Sequence, residues 1–123
     1  MKFFADTKGT EAVPLAGSHV GGVVHPFFTH QSKDNRYRTG SVTPEKLDIH
    51  LHHYGPGGFT PPSSHKAVEQ AYFVIKGRMR AKVGGEERLA GPETCIMIPR
   101  NTEHSFENAG KGDLIFLFIQ CPP

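Results

Sequence analysis

Residues 57–77, GGFTPPSSHKAVEQAYFVIKG, run from a glycine pair through a Pro/Ser turn into the strand-like QAYFVIK, which Gly77 closes. Residues 93–108, ETCIMIPRNTEHSFEN, answer them: an apolar strand reaches Pro99, turns, and re-emerges through His104. Both segments place polar side chains where a returning strand begins. The rest of the chain supplies wall for these two hairpins. Residues 46–54 (KLDIHLHHY) alternate with period two, putting Asp48, His50, His52 and Tyr54 on one face and Leu47, Ile49, Leu51 and His53 on the other. The apolar face is expected to meet the packing and the histidine face to carry an i, i+2 imidazole pair, either as a metal-ligating pair or as a solvated polar surface. Arg78 to Val83 alternate basic outward and apolar inward, and Gly84-Gly85 is a two-residue hairpin turn. Gln70 to Lys76 and residues 114–119 (LIFLFI) are apolar on both faces, which predicts strands covered on both sides. Pro26 within residues 20–28 (VGGVVHPFF) confines that strand to an edge or to the end of pairing.

With 123 residues the chain is expected to form one domain, an arm over residues 1–19 followed by a barrel over roughly 20–120. Its 14 Gly, 10 Pro and 9 Phe, with no long helix-forming run, predict many short strands joined by turns. A formal charge of +2 spread over scattered Lys and Arg gives no concentrated basic face, so nucleic acid is not an expected partner. No stretch approaches the length of a membrane span or of a secretory core, and the expectation is a cytoplasmic protein. Cys95 and Cys121, unpatterned, are expected to be free thiols. Residues 29–44 have no apolar period and form either a solvated connection or a lid, in which case Arg36, Tyr37 and Arg38 would reach the site. Eight histidines are many for this length, and imidazole is the commonest metal-ligating side chain.

The spacing of the two hairpins resembles the cupin family. Its pattern is Gly, five residues, His-x-His, three or four residues, Glu, six residues, Gly, and later Pro-x-Gly, two residues, His, three residues, Asn. Pro99, His104 and Asn108 fall on the second motif, with Asn101 in the glycine position. In the first motif Gln70 stands where the Glu belongs, six residues before Gly77. The His-x-His slot holds Ser63 and His65 in one register, or Ser64 and Lys66 in the other. The resemblance implies an all-β double-stranded β-helix, the jelly-roll barrel of cupins; the doubly apolar 114–119 strand, which so small a barrel has too little other structure to cover, adds the expectation of a homodimer. It also implies a small-molecule enzyme, with a metal bound inside the barrel. The implied donors are His65, Gln70 and His104, with His52 or His50 making up the missing imidazole; neutral N and O donors suit Fe, Mn, Ni or Zn. The reaction stays open between dioxygenase, isomerase, decarboxylase and lyase chemistry. In the other register Lys66 would repel a cation. The expectation is then a metal-free binding or sensor domain for a small, possibly anionic ligand, with Lys66, Gln70, Tyr72 and His104 available for acid–base work or for binding an anion. A purely structural cupin is the third alternative.

Overall fold

The computed structural model describes residues 3–15, 19–29 and 42–122, and among these residues there are strands and turns but no helix. The strands are β1 (Val13–Pro14), β2 (Val20–Phe28), β3 (Asp48–Ser63), β4 (Glu69–Lys76), β5 (Met79–Val83), β6 (Glu86–Ala90), β7 (Cys95–Ile98), β8 (His104–Asn108) and β9 (Leu114–Cys121). They pair antiparallel in the order β6-β5-β8-β3-β9-β4-β7, with β2 also on β3 and β1 on β2. The long strand β3 makes this one sheet into two layers. Its first half, through Tyr54, pairs with β9, and its second half, from Phe59, pairs with β8. The corner between them is Gly55, Pro56, Gly57 and Gly58; Gly57 takes a left-handed φ of 78°, which a Cβ would oppose. This crossing from layer to layer is the double-stranded β-helix that the motif spacing implies.

Gly77 ends β4 at φ 90°, and a Cβ there would sit 2.5 Å from the Asp113 carbonyl oxygen, so the turn into β5 admits no side chain. Gly84-Gly85 joins β5 to β6 as expected, with Val83 opposite Glu86. Met79 and Ala81 point inward from β5 while Arg80 and Lys82 are exposed. Arg80 pairs in solvent with Glu107 at 3.2 Å and Glu87 at 3.8 Å, contacts that contribute little to stability.

Between the layers lies an aromatic core. Phe106 stands edge-on to Tyr54 (4.9 Å between centroids) and to Phe116 (5.2 Å), and Tyr72 packs on Phe116 at 5.0 Å. Such edge contacts add about 0.5–1.5 kcal/mol each beyond the area they bury. Tyr54, Val74, Met79, Leu114 and Phe116 complete a core with no exposure.

Three expectations need correction. The faces of β3 are reversed: Asp48, His50, His52 and Tyr54 are the buried side, while Leu47 is exposed and Ile49 and Leu51 only half-buried. The interior is a polar-lined chamber, so the histidines point into it and the aliphatic side chains form the outer skin. For the same reason β4 is not covered on both faces. Gln70, Tyr72 and Val74 point inward, and Phe73 and Ile75 are 40% and 49% exposed on the outside. The N-terminal segment is no loose arm, because β1 pairs with β2, His25 donates from Nδ1 to the Thr10 carbonyl at 3.0 Å, and Leu15 and His19 reach the chamber. Pro26 does fall where the β2–β3 register breaks, between His25 and Phe28. On the outer face the rows Ile49–Ile119–Ala71–Met97 and Leu51–Leu117–Phe73–Cys95 run across β3, β9, β4 and β7. Cys95 and Cys121 are free.

Candidate functional site

A chamber of about 350 Å³ opens between the layers, within the size range of small-molecule sites. At its His104 side two sequence-distant segments are tied together. The turn after Pro99 passes through Asn101 at φ 58°, a left-handed conformation that asparagine tolerates where the family pattern has glycine. The Asn101 amide donates to the His65 carbonyl at 2.7 Å, and Ser63 pairs with His104 across β3 and β8. These contacts bring the His65 and His104 rings to 5.2 Å. The His104 Nδ1–H donates to the Thr102 carbonyl at 3.0 Å, which fixes the tautomer and leaves the lone pair on Nε2. Burial and the neighbouring His104 hold the His65 pKa below its ordinary value, keeping that imidazole in the neutral form that can ligate or accept a proton. At the end of β8, Asn108 is structural: Nδ2 donates to the carbonyls of Tyr54 and Gly112, and Oδ1 accepts from the Gly110 amide.

Also lining the chamber, a chain of hydrogen bonds crosses β4, β9 and β3. The Tyr72 hydroxyl donates to Gln70 Oε1 at 3.3 Å, Gln70 Nε2 donates to Gln120 Oε1 at 2.9 Å, and Gln120 Nε2 donates to Asp48 Oδ2 at 3.4 Å. Burial pushes the Tyr72 hydroxyl pKa far up, so it remains a protonated donor. The Gln70 amide is thereby oriented with its oxygen toward Tyr72.

The histidines of β3 lie along the same chamber. His50 Nε2 meets the Thr29 hydroxyl at 2.9 Å. His52 packs against Phe118 at 4.7 Å and Phe116 at 5.1 Å, and both of its ring nitrogens are buried without a hydrogen-bond partner. Burial is the main cause that pushes its pKa well down, with the charges of His50, His19 and His53 adding to it. His19 joins the two groups of imidazoles. Its Nδ1 meets the Tyr54 hydroxyl at 3.0 Å, and burial first, with His65 adding to it, lowers the His19 pKa.

Of the residues singled out from sequence, the chamber gathers His50, His52, His65, Gln70, Tyr72 and His104. Lys66 is exposed and outside the lining, so the register that aims an ammonium at the site is set aside. Nor does β3 supply a third imidazole beside His65 and His104, since among the described residues no three His, Cys, Asp or Glu side chains are grouped closely enough to hold an ion. Arg36, Tyr37 and Arg38 lie outside the described residues. Sequence reasoning missed His19, Gln120 and Asp48 as lining residues. The one signal for Asp48 was its place on the same face of β3 as His50 and His52, while Gln120 gave none, since it meets Gln70 only across the pairing of β4 with β9.

The donors at His104 fit a loosely held divalent ion. A ligating imidazole characteristically donates its second nitrogen to a backbone carbonyl, as His104 does to Thr102. The imidazoles of His65 and His104, the Gln70 amide oxygen and the Ser63 hydroxyl all line the chamber, with no carboxylate among them.

Comparison with known proteins agrees with this geometry. The family model described as a cupin domain matches residues 50–120. Mannose-1-phosphate guanylyltransferase ManC of Salmonella typhimurium is 30% identical over 94 residues, which are 72% of this chain and only 17% of that protein. Among solved structures, KdgF from Halomonas sp. superposes with a TM-score of 0.78 at 15% identity, covering 98% of this chain and 94% of that one. The polyketide cyclase RemF from Streptomyces resistomycificus does so with 0.77 at 19% identity, covering 100% and 81%. At these identities the likeness is one of fold. The family match, however, spans both motif segments, from His50 on β3 to Gln120 on β9, and by it the chain belongs to the cupin family.

Proposed function

We propose that this cupin is a small-molecule enzyme whose reacting centre is the His65–His104 pair, with a divalent transition metal held there by the two imidazoles, Gln70 and Ser63. The observation that carries this is the bond from His104 Nδ1 to the Thr102 carbonyl, which pins the ring in the tautomer a metal requires, 5.2 Å from His65. Such an ion, when bound, supplies Lewis-acid polarisation of an oxygen, activation of O2 or a bound water of lowered pKa. The chain's own residues orient and enclose. Tyr72 and Gln120 hold the Gln70 amide in place, while Phe106, Phe116 and Phe118 give the chamber apolar walls. That one structural neighbour is a polyketide cyclase is consistent with chemistry on a small organic molecule in this fold. The reaction class stays with dioxygenase, isomerase, decarboxylase or lyase chemistry.

Metal analysis of purified protein and variants tests the reading. His104→Ala should lose most of the bound metal and His53→Ala none, because His53 lies on the outer side of β3. A His104→Ala protein that retains wild-type metal content contradicts it. That no group of three His, Cys, Asp or Glu is found among the described residues favours, as the second reading, a metal-free binding or sensor domain using the same chamber. Protein that carries no metal and takes up none on soaking selects it.

A further inference from the structure

The connection from β1 to β2 lies on the chamber and brings it a histidine with its own chemistry. Beyond the paired residues of β1 the Leu15 amide donates to the Gly22 carbonyl at 3.1 Å, and the Leu15 and His19 side chains both line the chamber. The packing here is close: a Cβ on Gly22 would fall 2.7 Å from the Tyr54 ring and 2.9 Å from Leu15 Cδ1. Tyr54 is wholly buried, and a buried hydroxyl that does not donate is costly. Its partner is His19 Nδ1 at 3.0 Å. Burial keeps the Tyr54 hydroxyl protonated and, with His65 adding to it, favours the neutral His19 ring. The hydroxyl is therefore the donor and Nδ1 the acceptor, which places the ring proton of His19 on Nε2. His104 is the reverse case, since its Nδ1–H donates to the Thr102 carbonyl and its Nε2 keeps the lone pair. His19 keeps part of its surface exposed, and among the described residues nothing accepts from its Nε2–H.

We infer that His19 is a substrate-binding residue whose Nε2–H donates to a carbonyl or carboxylate oxygen of the ligand, while the His65–His104 pair acts at another atom. The inference rests on the chamber being the substrate site. An oxygen that accepts and carries no proton is the complement of this nitrogen, whereas an ammonium would set donor against donor. The same proton keeps His19 from serving as a metal ligand, because an imidazole ligates through a lone pair.

Two measurements test it. In protein carrying isotope-labelled histidine, the long-range proton–nitrogen spectrum at about pH 8 should show His19 as the Nε2–H tautomer, and Tyr54→Phe should move it toward a mixture. Calorimetric titration with benzoate, acetophenone and benzylamine reads the ligand chemistry, since the first two offer a carboxylate and a ketone oxygen and the third offers only donors. The better oxygen probe should bind at least about tenfold tighter than benzylamine, and which of the two it is separates carboxylate from carbonyl. His19→Leu should weaken that probe by about threefold to tenfold, the worth of one hydrogen bond, and His19→Gln, whose amide nitrogen is again a donor, should stay within about twofold of wild type. His19→Leu should also keep the metal content of wild type. An Nδ1–H tautomer in the wild-type protein, no binding of either oxygen probe, benzylamine binding as tightly, wild-type affinity in His19→Leu, or metal lost from it overturns the inference. Loss of metal in His104→Ala alongside any of these leaves the proposed reacting centre standing.

Discussion

Replacing His52 with phenylalanine should change how the stability of this protein depends on pH. In the folded chain, burial and the surrounding His50, His19 and His53 hold the His52 pKa well below its ordinary value, and among the described residues no carboxylate acts on it in the opposite direction. The unfolded chain takes up a proton on this histidine at about pH 6.5. Below that pH the unfolded state therefore binds more protons than the folded state, and stability falls as pH falls. Each such proton contributes a slope of about 1.4 kcal/mol per pH unit, so His52 alone should cost about 1.4 kcal/mol between about pH 7.5 and about pH 5.5. His19, His50, His53 and His65, all shifted down mainly by burial, steepen the wild-type curve further and remain in the variant. Urea denaturation over that range should show His52→Phe losing about 1.4 kcal/mol less than wild type. At about pH 7.5 the variant should be more stable by about 1–3 kcal/mol, because it no longer buries unpaired ring nitrogens against Phe116 and Phe118. Parallel curves for the two proteins, or a destabilised variant at neutral pH, would refute the reasoning.

Two further outcomes are expected. Asn108→Ala removes three hydrogen bonds that lock the end of β8 to Tyr54, Gly110 and Gly112, and should cost about 2–3 kcal/mol in urea denaturation; a loss under about 0.5 kcal/mol would show the lock to be idle. We propose that the outer face of β3, β9, β4 and β7, where Phe73, Ile75 and Met97 are 40–49% exposed in continuous apolar rows, seats a second copy of the chain. Sedimentation at micromolar concentration should give a dimer, and a monomer there contradicts it.

The motif frame carried the fold because its residues are ones whose backbone role is specific. Gly77 at φ 90° and the Gly84-Gly85 hairpin need conformations few residues adopt, and Asn101 shows how the frame survives a substitution when the replacement tolerates φ 58°. His104 and Asn108 followed from fixed spacing to Pro99. The orientation of β3 was not legible, because the rule that apolar faces turn inward fails for a barrel that encloses a polar chamber: His50 and His52 are inside and Leu47 is out. Lys66 was one of two registers that spacing could not separate; the 2.7 Å bond from Asn101 to the His65 carbonyl helps fix the loop with His65 inward. His19 gave no signal, since its role depends on β1 pairing with β2 and on a tyrosine 35 residues away.

The reacting centre is tested most directly by the X-ray absorption spectrum at the edge of the metal carried by the purified protein. Two imidazoles, from His65 and His104, with the remaining donors oxygen, is the expected first coordination sphere. Three or more imidazoles, any sulfur ligand, or a protein that holds no metal and takes none up would contradict it.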